Sequence, residues 1–392
     1  MKFDEQELKK VIQQSGCGAH ETRIETSIIR DADALLALKD EWDALWRDVG
    51  GRHNQSFDVC WLAWTHVARS RGQQLRCIVC RENGKLVLVW PLVSHRRFVW
   101  SILQPLSPGT AELTSMLACP AAHAAIDAAW AAATAQCGSD VFKIPYVAKH
   151  SRLNAHASLA RGRVTTTVDV CATALLREQP DWTAYTETLG TLSKRKPGAL
   201  ERRFAKEGAL EIRVLAPHDT QAHAHWVDWM LTHKRGWSKR VAKYGEWLDA
   251  KDYREFLVDL LDGTQRKPSA VIMVMTMDGA PVVASIIGAG ATCASGLIAG
   301  FDPQFSKFAP GNILMEHSVK WAWEQGLDLD FGVGKEDFKA YWSRNNVGEH
   351  ESHVLAISRF GRLAFSMKRV AKRLVRLASA RPRFASSVAS SS

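Results

Sequence analysis

Long apolar runs are missing from this sequence. Nowhere in its 392 residues do about 18 uninterrupted apolar residues occur, so no segment has the pattern of a bilayer-spanning helix. The opening MKFDEQELKK carries acidic residues and no apolar stretch follows, unlike a secretory signal. The expectation is a protein made and kept in the cytosol. Cysteine is sparse for the length: eight residues (Cys17, Cys60, Cys77, Cys80, Cys119, Cys137, Cys171 and Cys293) are scattered, mostly beside apolar neighbours, whereas a disulfide framework belongs to small secreted domains. Cys77 and Cys80 form a lone CxxC in LRCIVCRENG, which reads as a strand. Alternation along a strand sends two residues at this spacing to opposite faces, so buried thiols are expected rather than zinc or redox chemistry.

Several catalytic signatures are also missing. There is no GxxxxGK[ST] phosphate loop, and Gly332-Val333-Gly334-Lys335 has neither its spacing nor its hydroxyl. No HExxH occurs, and His218, His223, His225, His350 and His353 have no convincing set of partner ligands, so no metal is expected. A GxSxG elbow and a GxGxxG fingerprint after a strand are both absent.

What is there is a globular balance of 46% apolar and 23% charged residues, long enough for two domains with separate cores. The net charge of +10 is concentrated in one place. Nine Lys or Arg and no Asp or Glu lie between Arg359 and Arg383, leaving the remainder almost neutral. That distribution argues against a nucleic-acid-binding fold. Phe360, Leu363, Met367, Val370, Leu374 and Leu377 recur at helical steps, so residues 360–377 are predicted to form a basic amphipathic helix suited to an anionic membrane surface. Docking of its first turns on the fold is the other reading. The serine-rich end should be disordered.

One order of elements occurs twice. CIVCRENGKLVLVWPLV and VIMVMTMDGAPVVASIIGAG both read as strand pairs, turned by Asn83-Gly84 and Asp278-Gly279, residues that accept positive φ. Each is followed by strand-like sequence, a helix (AAHAAIDAAWAAATAQCG; GNILMEHSVKWAWEQG) and a short strand (DVFKIPYV; LDLDFG). Gly138 and Gly326 sit where helix C-terminal caps belong. Between the copies, four helices are predicted: DWTAYTETLG, PGALERRFAKEG with Pro197 in its first turn, DTQAHAHWVDWMLTHKRGW capped by Asp219, and DAKDYREFLVDLLDG. In the last, Tyr253, Phe256, Leu257, Leu260 and Leu261 read as a packed face rather than a binding one.

Chemistry is expected in three stretches. Lys307, Pro310, Gly311 and Asn312 bring a cation and a glycine to a helix start, where free N–H groups favour an anion such as a pyrophosphate; the same residues also suit an ordinary helix start. In LDLDFGVGKEDFKAYW, Asp330, Lys339 and Trp342 gather at the end of a strand, where Asp330 equally suits a turn cap and Lys339 a solvated surface. SKRKPGALERR, with Lys194, Arg195 and Lys196, reads as a cleft wall or a solvated face.

Taken together, these stretches resemble the CelD-type acetyltransferases, a branch of the GNAT superfamily associated with cellulose biosynthesis. The likeness rests on FDVCWLAWTHVARSRG, LVWPLV, SKRKPGALERRFAKEG, GAPVVASIIG, GFDPQFSKFAPGNILMEHSVKWA and LDFGVGKEDFKAYW. It spans Glu41 to Val354 and is strongest from Asp278 to Trp342. It implies an α+β (α/β) chain of two tandem GNAT-like lobes with mixed sheets flanked by helices, as in the related Fem-type aminoacyl transferases. The implied division is an extension over 1–22, a first lobe over 23–175, a helical insertion and second lobe over 176–358, and a tail over 359–392. The resemblance implies no permanent cofactor, with acetyl-CoA or another acyl-CoA as co-substrate and its pyrophosphate at Pro310-Gly311-Asn312. The usual signature, Gln/Arg-x-x-Gly-x-Gly/Ala, is met only in part by Lys307 to Asn312, which leaves the acyl group open. An amine or hydroxyl acceptor would attack the thioester directly, in polysaccharide or cell-envelope metabolism, with Asp330 as base or orienting group. Lys339 would assist, and Trp342, Arg195 and Trp237 would shape the acceptor pocket. A non-catalytic, membrane-peripheral scaffold and a Fem-like aminoacyl transferase are the alternatives.

Overall fold

The computed structural model describes residues 23–367 apart from 111, 193–194, 243–244, 265–266 and 364. Residues 1–22, and the predicted tail beyond 367, lie outside the described residues.

The fold begins with β1 (Ile24–Ile29) and three helices, α1 (Ala32–Leu36), α2 (Lys39–Asp48) and α3 (Phe57–Leu62). Asp31 and Ser56 start α1 and α3 by accepting hydrogen bonds from the Ala34 and Val59 N–H groups, as N-caps do. Short β2 (Gln74–Leu75) precedes the hairpin of β3 (Cys77–Glu82) and β4 (Lys85–Trp90). Asn83 and Gly84 turn it at φ 50° and 81°. Next come β5 (Leu92–Arg97), β6 (Trp100–Pro105), β7 (Leu117–Ala118), α4 (His123–Ala135), β8 (Val141–Ala148), α5 (Arg152–Leu159) and the 12-residue β9 (Arg163–Ala174).

The order then recurs. After α6 (Trp182–Thr188) and α7 (Ala199–Phe204) come β10 (Leu210–Val214), α8 (Thr220–Arg240), α9 (Lys251–Leu261), the hairpin of β11 (Ala270–Met277) and β12 (Ala280–Gly288), then β13 (Cys293–Phe301), α10 (Pro310–Glu324), β14 (Asp328–Val333), α11 (Asp337–Trp342) and β15 (Val347–Ala356). Asp278 and Gly279 turn the second hairpin at φ 49° and 79°. The expected mixed α+β architecture of two GNAT-like lobes is what forms. One helix differs from expectation: Gly198 takes a left-handed conformation and α7 starts only at Ala199, so Pro197 lies outside it.

Two sheets carry the strands. One has four strands in the order β1-β3-β4-β7; the other has eleven, β10-β11-β12-β13-β14-β9-β15-β8-β6-β5-β2. The middle of the long sheet is an exchange. Strand β9, which follows the first set of elements, lies beside β14 of the second, and β15, which ends the second set, lies beside β8 of the first. The two swapped strands pair with each other over Val347–Leu355 and Arg163–Ala172. Each half's sheet is thus continued by the other half's last strand, and the lobes are welded through backbone hydrogen bonds.

Three apolar clusters flank the sheets. Cys77 belongs to the one that packs α2, α3, α8 and α9, and Cys80 to the one beneath α4. Strand alternation thus points the two thiols into different cores, and burial pushes both pKa values up. Among the described residues no helix is long and apolar enough to cross a membrane.

Candidate active site

The long sheet contains two parallel strand pairs, β6/β8 and β13/β14. In the second lobe β13 and β14 pair only at Cys293–Ser295 against Asp328–Asp330, after which the strands part. Both are irregular at the parting. Leu297 is an extra residue in the β12–β13 ladder, and Phe331-Gly332 interrupts the β14–β9 ladder. Bulges bend a strand and free backbone groups from the ladder. Here they border a cavity of about 380 Å³, lined by Ser295, Gly296 and Leu297 on one strand and Asp330 to Val333 on the other.

The remaining walls come from elsewhere in the chain. Arg52 arrives from the first lobe on a loop whose Gly50 and Gly51 carbonyls accept from Thr292 and from the Ala291 N–H. Its guanidinium donates to Asp330 Oδ2 at 2.6 Å. Asp330 is 3% exposed, and its Oδ1 also accepts from the Gly332 N–H (2.7 Å) and the Cys171 thiol (3.0 Å). An arginine and two further donors thus fix the orientation of this carboxylate.

Glu112 reaches the same cavity from the loop between β6 and β7. Thr110 Oγ1 donates to its Oε1 at 3.1 Å, but burial dominates and pushes the carboxyl up to about 7. A recessed carboxyl poised near neutrality has the property a general base requires. Tyr253 of α9 shares the cavity, and burial together with Glu112 raises its phenol, so the hydroxyl stays protonated. All five residues of the α9 stripe are core, as a packed face requires, and Tyr253, Phe256 and Leu257 also line the cavity.

Farther along the parted strands, a cavity of about 210 Å³ lies at the start of α10, lined by Gly311, Asn312, Ala299 to Phe301 and Trp237 among others. A Cβ built on Gly311 would meet nothing within 4 Å, so this helix start is open. Ala309, at φ 52°, sets the angle at which the chain enters it, and Pro310 opens the helix without an N–H to satisfy.

The candidate residues from the sequence fall into separate groups. Gly311, Asn312 and Trp237 come together at the helix start, with Lys234 4.1 Å from the Trp237 ring centre; Trp237 thus sits with Gly311 and Asn312 and not in the 380 Å³ cavity. Exposed Arg195 lies on the other side of Asn312, in a small cleft that Lys196, Glu316 and the candidate Trp342 also line. Lys307 does not line the helix-start cavity; its ammonium lies 4.7 Å from the Phe308 ring centre. Lys339 is buried, donating to the Val333 carbonyl at 2.6 Å and pairing with Glu336 at 3.1 Å. It braces the end of β14 behind Asp330 and is not a solvated side chain. Trp342 is a core residue, 2% exposed, stacked on Trp182, with its carbonyl taken by the Tyr185 hydroxyl. Apolar packing of the indole keeps it out of the larger cavity.

Arg52 and Glu112 were not singled out from the sequence, and Tyr253 was read only as part of a packed face. Glu112 had one usable signal: its loop follows β6 as the Pro310-Gly311 loop follows β13, so the repeat marks it as the equivalent connection. Arg52 carries no local signal.

Comparison with known proteins agrees with this geometry. Residues 195–340 match the family model of the acetyltransferase (GNAT) domain, a stretch that contains both parted strands and the open helix start. The chain therefore carries a GNAT-like acetyltransferase domain. No curated protein sequence matches it. Among solved structures, FemX superposes with a TM-score of 0.57 at 12% identity, covering 84% of this chain and 96% of that one. The C-terminal domain of an Agrobacterium fabrum protein described as a lysylphosphatidylglycerol synthetase gives 0.51 at 12% identity, covering 86% and 97%. At such identities the likeness is one of fold.

Proposed function

We propose that this protein is an acyltransferase that takes an acyl group from acyl-CoA onto an amine or hydroxyl acceptor held in the 380 Å³ cavity between the lobes. The observation that carries this reading is the parting of β13 and β14 beside a cavity bearing a carboxyl raised to about 7, with a second cavity farther along β13 at the open start of α10. The pyrophosphate would rest against the Gly311 helix start, where N–H groups and the helix dipole favour an anion, with Arg195 within reach of the same end. The pantetheine arm would run between the parted strands, placing the thioester at the Leu297 bulge. A backbone N–H freed there would polarise the thioester carbonyl.

The acceptor nitrogen or oxygen then attacks the carbonyl carbon. A C–N or C–O bond forms and the C–S bond breaks, the acceptor proton passing to Glu112, while the leaving thiolate takes up a proton from water, with the Tyr253 hydroxyl available to hydrogen-bond to it. Asp330 and Arg52 fix the floor of the cavity and Lys339 braces the strand that carries Asp330. Calorimetric titration with acetyl-CoA and longer acyl-CoAs tests the donor assignment. Saturable binding is expected, and a folded protein that binds no acyl-CoA at millimolar concentration would sink it.

A further inference from the structure

A third two-residue turn breaks the rule kept by the other two. The β3–β4 and β11–β12 hairpins turn on Asn-Gly and Asp-Gly, but the β5–β6 hairpin pairs Arg97 with Trp100 and turns on Phe98-Val99. Phe98 adopts φ 56°, a left-handed conformation unfavourable for a bulky side chain. It is also 89% exposed, and Val99 64%. The strain is not repaid by packing within the fold.

The surroundings extend this tip into a surface. Residues 359–363 and 365–367 are helical, and Trp100 holds that helix against the hairpin, with ring centres 5.5 Å from Phe360 and 5.2 Å from Phe365. Gly361 fits against the Asp140 carbonyl, where a Cβ would approach to 2.4 Å, and the Ser358 hydroxyl donates to the Asp140 carboxylate. Phe360, Leu363 and Met367, spaced at helical steps, are 48%, 62% and 65% exposed. Arg96, Arg97, Arg359 and Arg362 are exposed around these apolar groups, and neither residues 92–105 nor 357–367 contain Asp or Glu. The sequence continues from here with the cationic run that ends at Arg383.

We propose that the Phe98-Val99 hairpin tip and the helix beside it form a docking surface for an anionic lipid bilayer. An apolar tip and an apolar helix stripe, both rimmed by cations, match an interface that is hydrocarbon inside and negatively charged outside. Trp100 sits between them, the residue type that favours such boundaries. Charge complementarity selects the occupant: a second copy of this chain would bring the same cations against themselves.

The test is co-sedimentation of full-length protein with vesicles of phosphatidylglycerol and phosphatidylcholine in equal parts, against phosphatidylcholine alone, at low and high salt. Binding to the anionic vesicles, weakened by salt, is expected. Phe98→Asn with Val99→Gly puts a residue that tolerates positive φ at position 98 and removes both apolar side chains, so the fold should be kept while binding falls at least tenfold. Arg96→Gln with Arg97→Gln should lower binding and its salt dependence. Protein that stays in the supernatant with anionic vesicles at low salt would overturn the proposal, as would wild-type binding by the Asn-Gly variant. A self-association that this variant abolishes, with no vesicle binding, would overturn it in favour of a second copy.

Discussion

The two parallel strand pairs, β6/β8 and β13/β14, start alike and end differently. Each pairs briefly and then parts. In the second lobe the gap stays open as a cavity, and a separate cavity farther along β13 borders a helix start with free space at Gly311. In the first lobe a segment of the chain bridges the gap, and a cavity of about 400 Å³ remains beside it between β6 and β8. The Thr114 N–H donates to the Tyr146 carbonyl, and Thr114 bridges Val147 of β8 as a lone parallel residue. Asn54 and Gln55 tether this segment through the Leu113 carbonyl and the Ser115 hydroxyl. The segment also delivers Glu112 to the second lobe's cavity. In the second lobe the parted strands open on a cavity, while in the first the bridging segment holds a carboxyl that lines the cavities of both lobes.

The largest expected effect tests that division directly. Glu112→Gln should lower kcat by roughly 10²–10⁴ and leave acyl-CoA affinity unchanged, read by CoA release once an acceptor is found. Wild-type kcat/KM should fall about tenfold per pH unit below about 7, where Glu112 becomes protonated. Stability should move the opposite way. Burial favours the protonated carboxyl, so native Glu112 holds its proton up to about 7, against an ordinary 4.5. The native state is therefore destabilised as pH rises through that window. Glu112→Gln should raise Tm at pH 8 and change little at pH 4; a variant that lowers Tm at pH 8 would contradict the burial argument.

Next in size is the tie between the lobes. Asp330→Asn leaves Arg52 without its ion-pair partner and should cost about 2 kcal/mol, less than a fully buried pair because Arg52 is partly exposed. Chemical denaturation measures this. Loss of kcat with unchanged stability would instead make Asp330 a direct participant. Gly311→Asp should weaken CoA binding at least tenfold, about 1.4 kcal/mol, with the fold intact because the added atoms enter open space; unchanged affinity would remove the helix start from the donor site. The smallest effect serves as control. Ala122 stands at the N-cap of α4 without a side-chain hydrogen bond, so Ala122→Asp should add about 0.5–1 kcal/mol of stability. It should leave CoA affinity untouched, and a change in affinity there would mean that the first lobe also takes part in donor binding.

Much of the local structure was legible from the chain alone. Asn83-Gly84 and Asp278-Gly279 set two hairpins because their positive φ angles are cheap only for such residues. Asp219 marks a helix start, and the spacing of Tyr253 to Leu261 marks α9. Pro310-Gly311-Asn312 announced an open helix start. These signals work because each depends on a few neighbouring residues. The repeat itself was visible, since its order and punctuation recur.

Only tertiary structure decided the exchange of β9 and β15, the cavity and the roles around it. Arg52 and Asp330 are 278 positions apart, and no local propensity encodes their pairing. Glu112 differs from any exposed glutamate only after the bridging segment of the first lobe carries it out of water, because desolvation belongs to the packed environment rather than to the residue. Lys339 and Trp342, polar or accessible by sequence pattern, were claimed by the core for the same reason. The sequence determined which turns and helices form; packing determined which of their side chains meet.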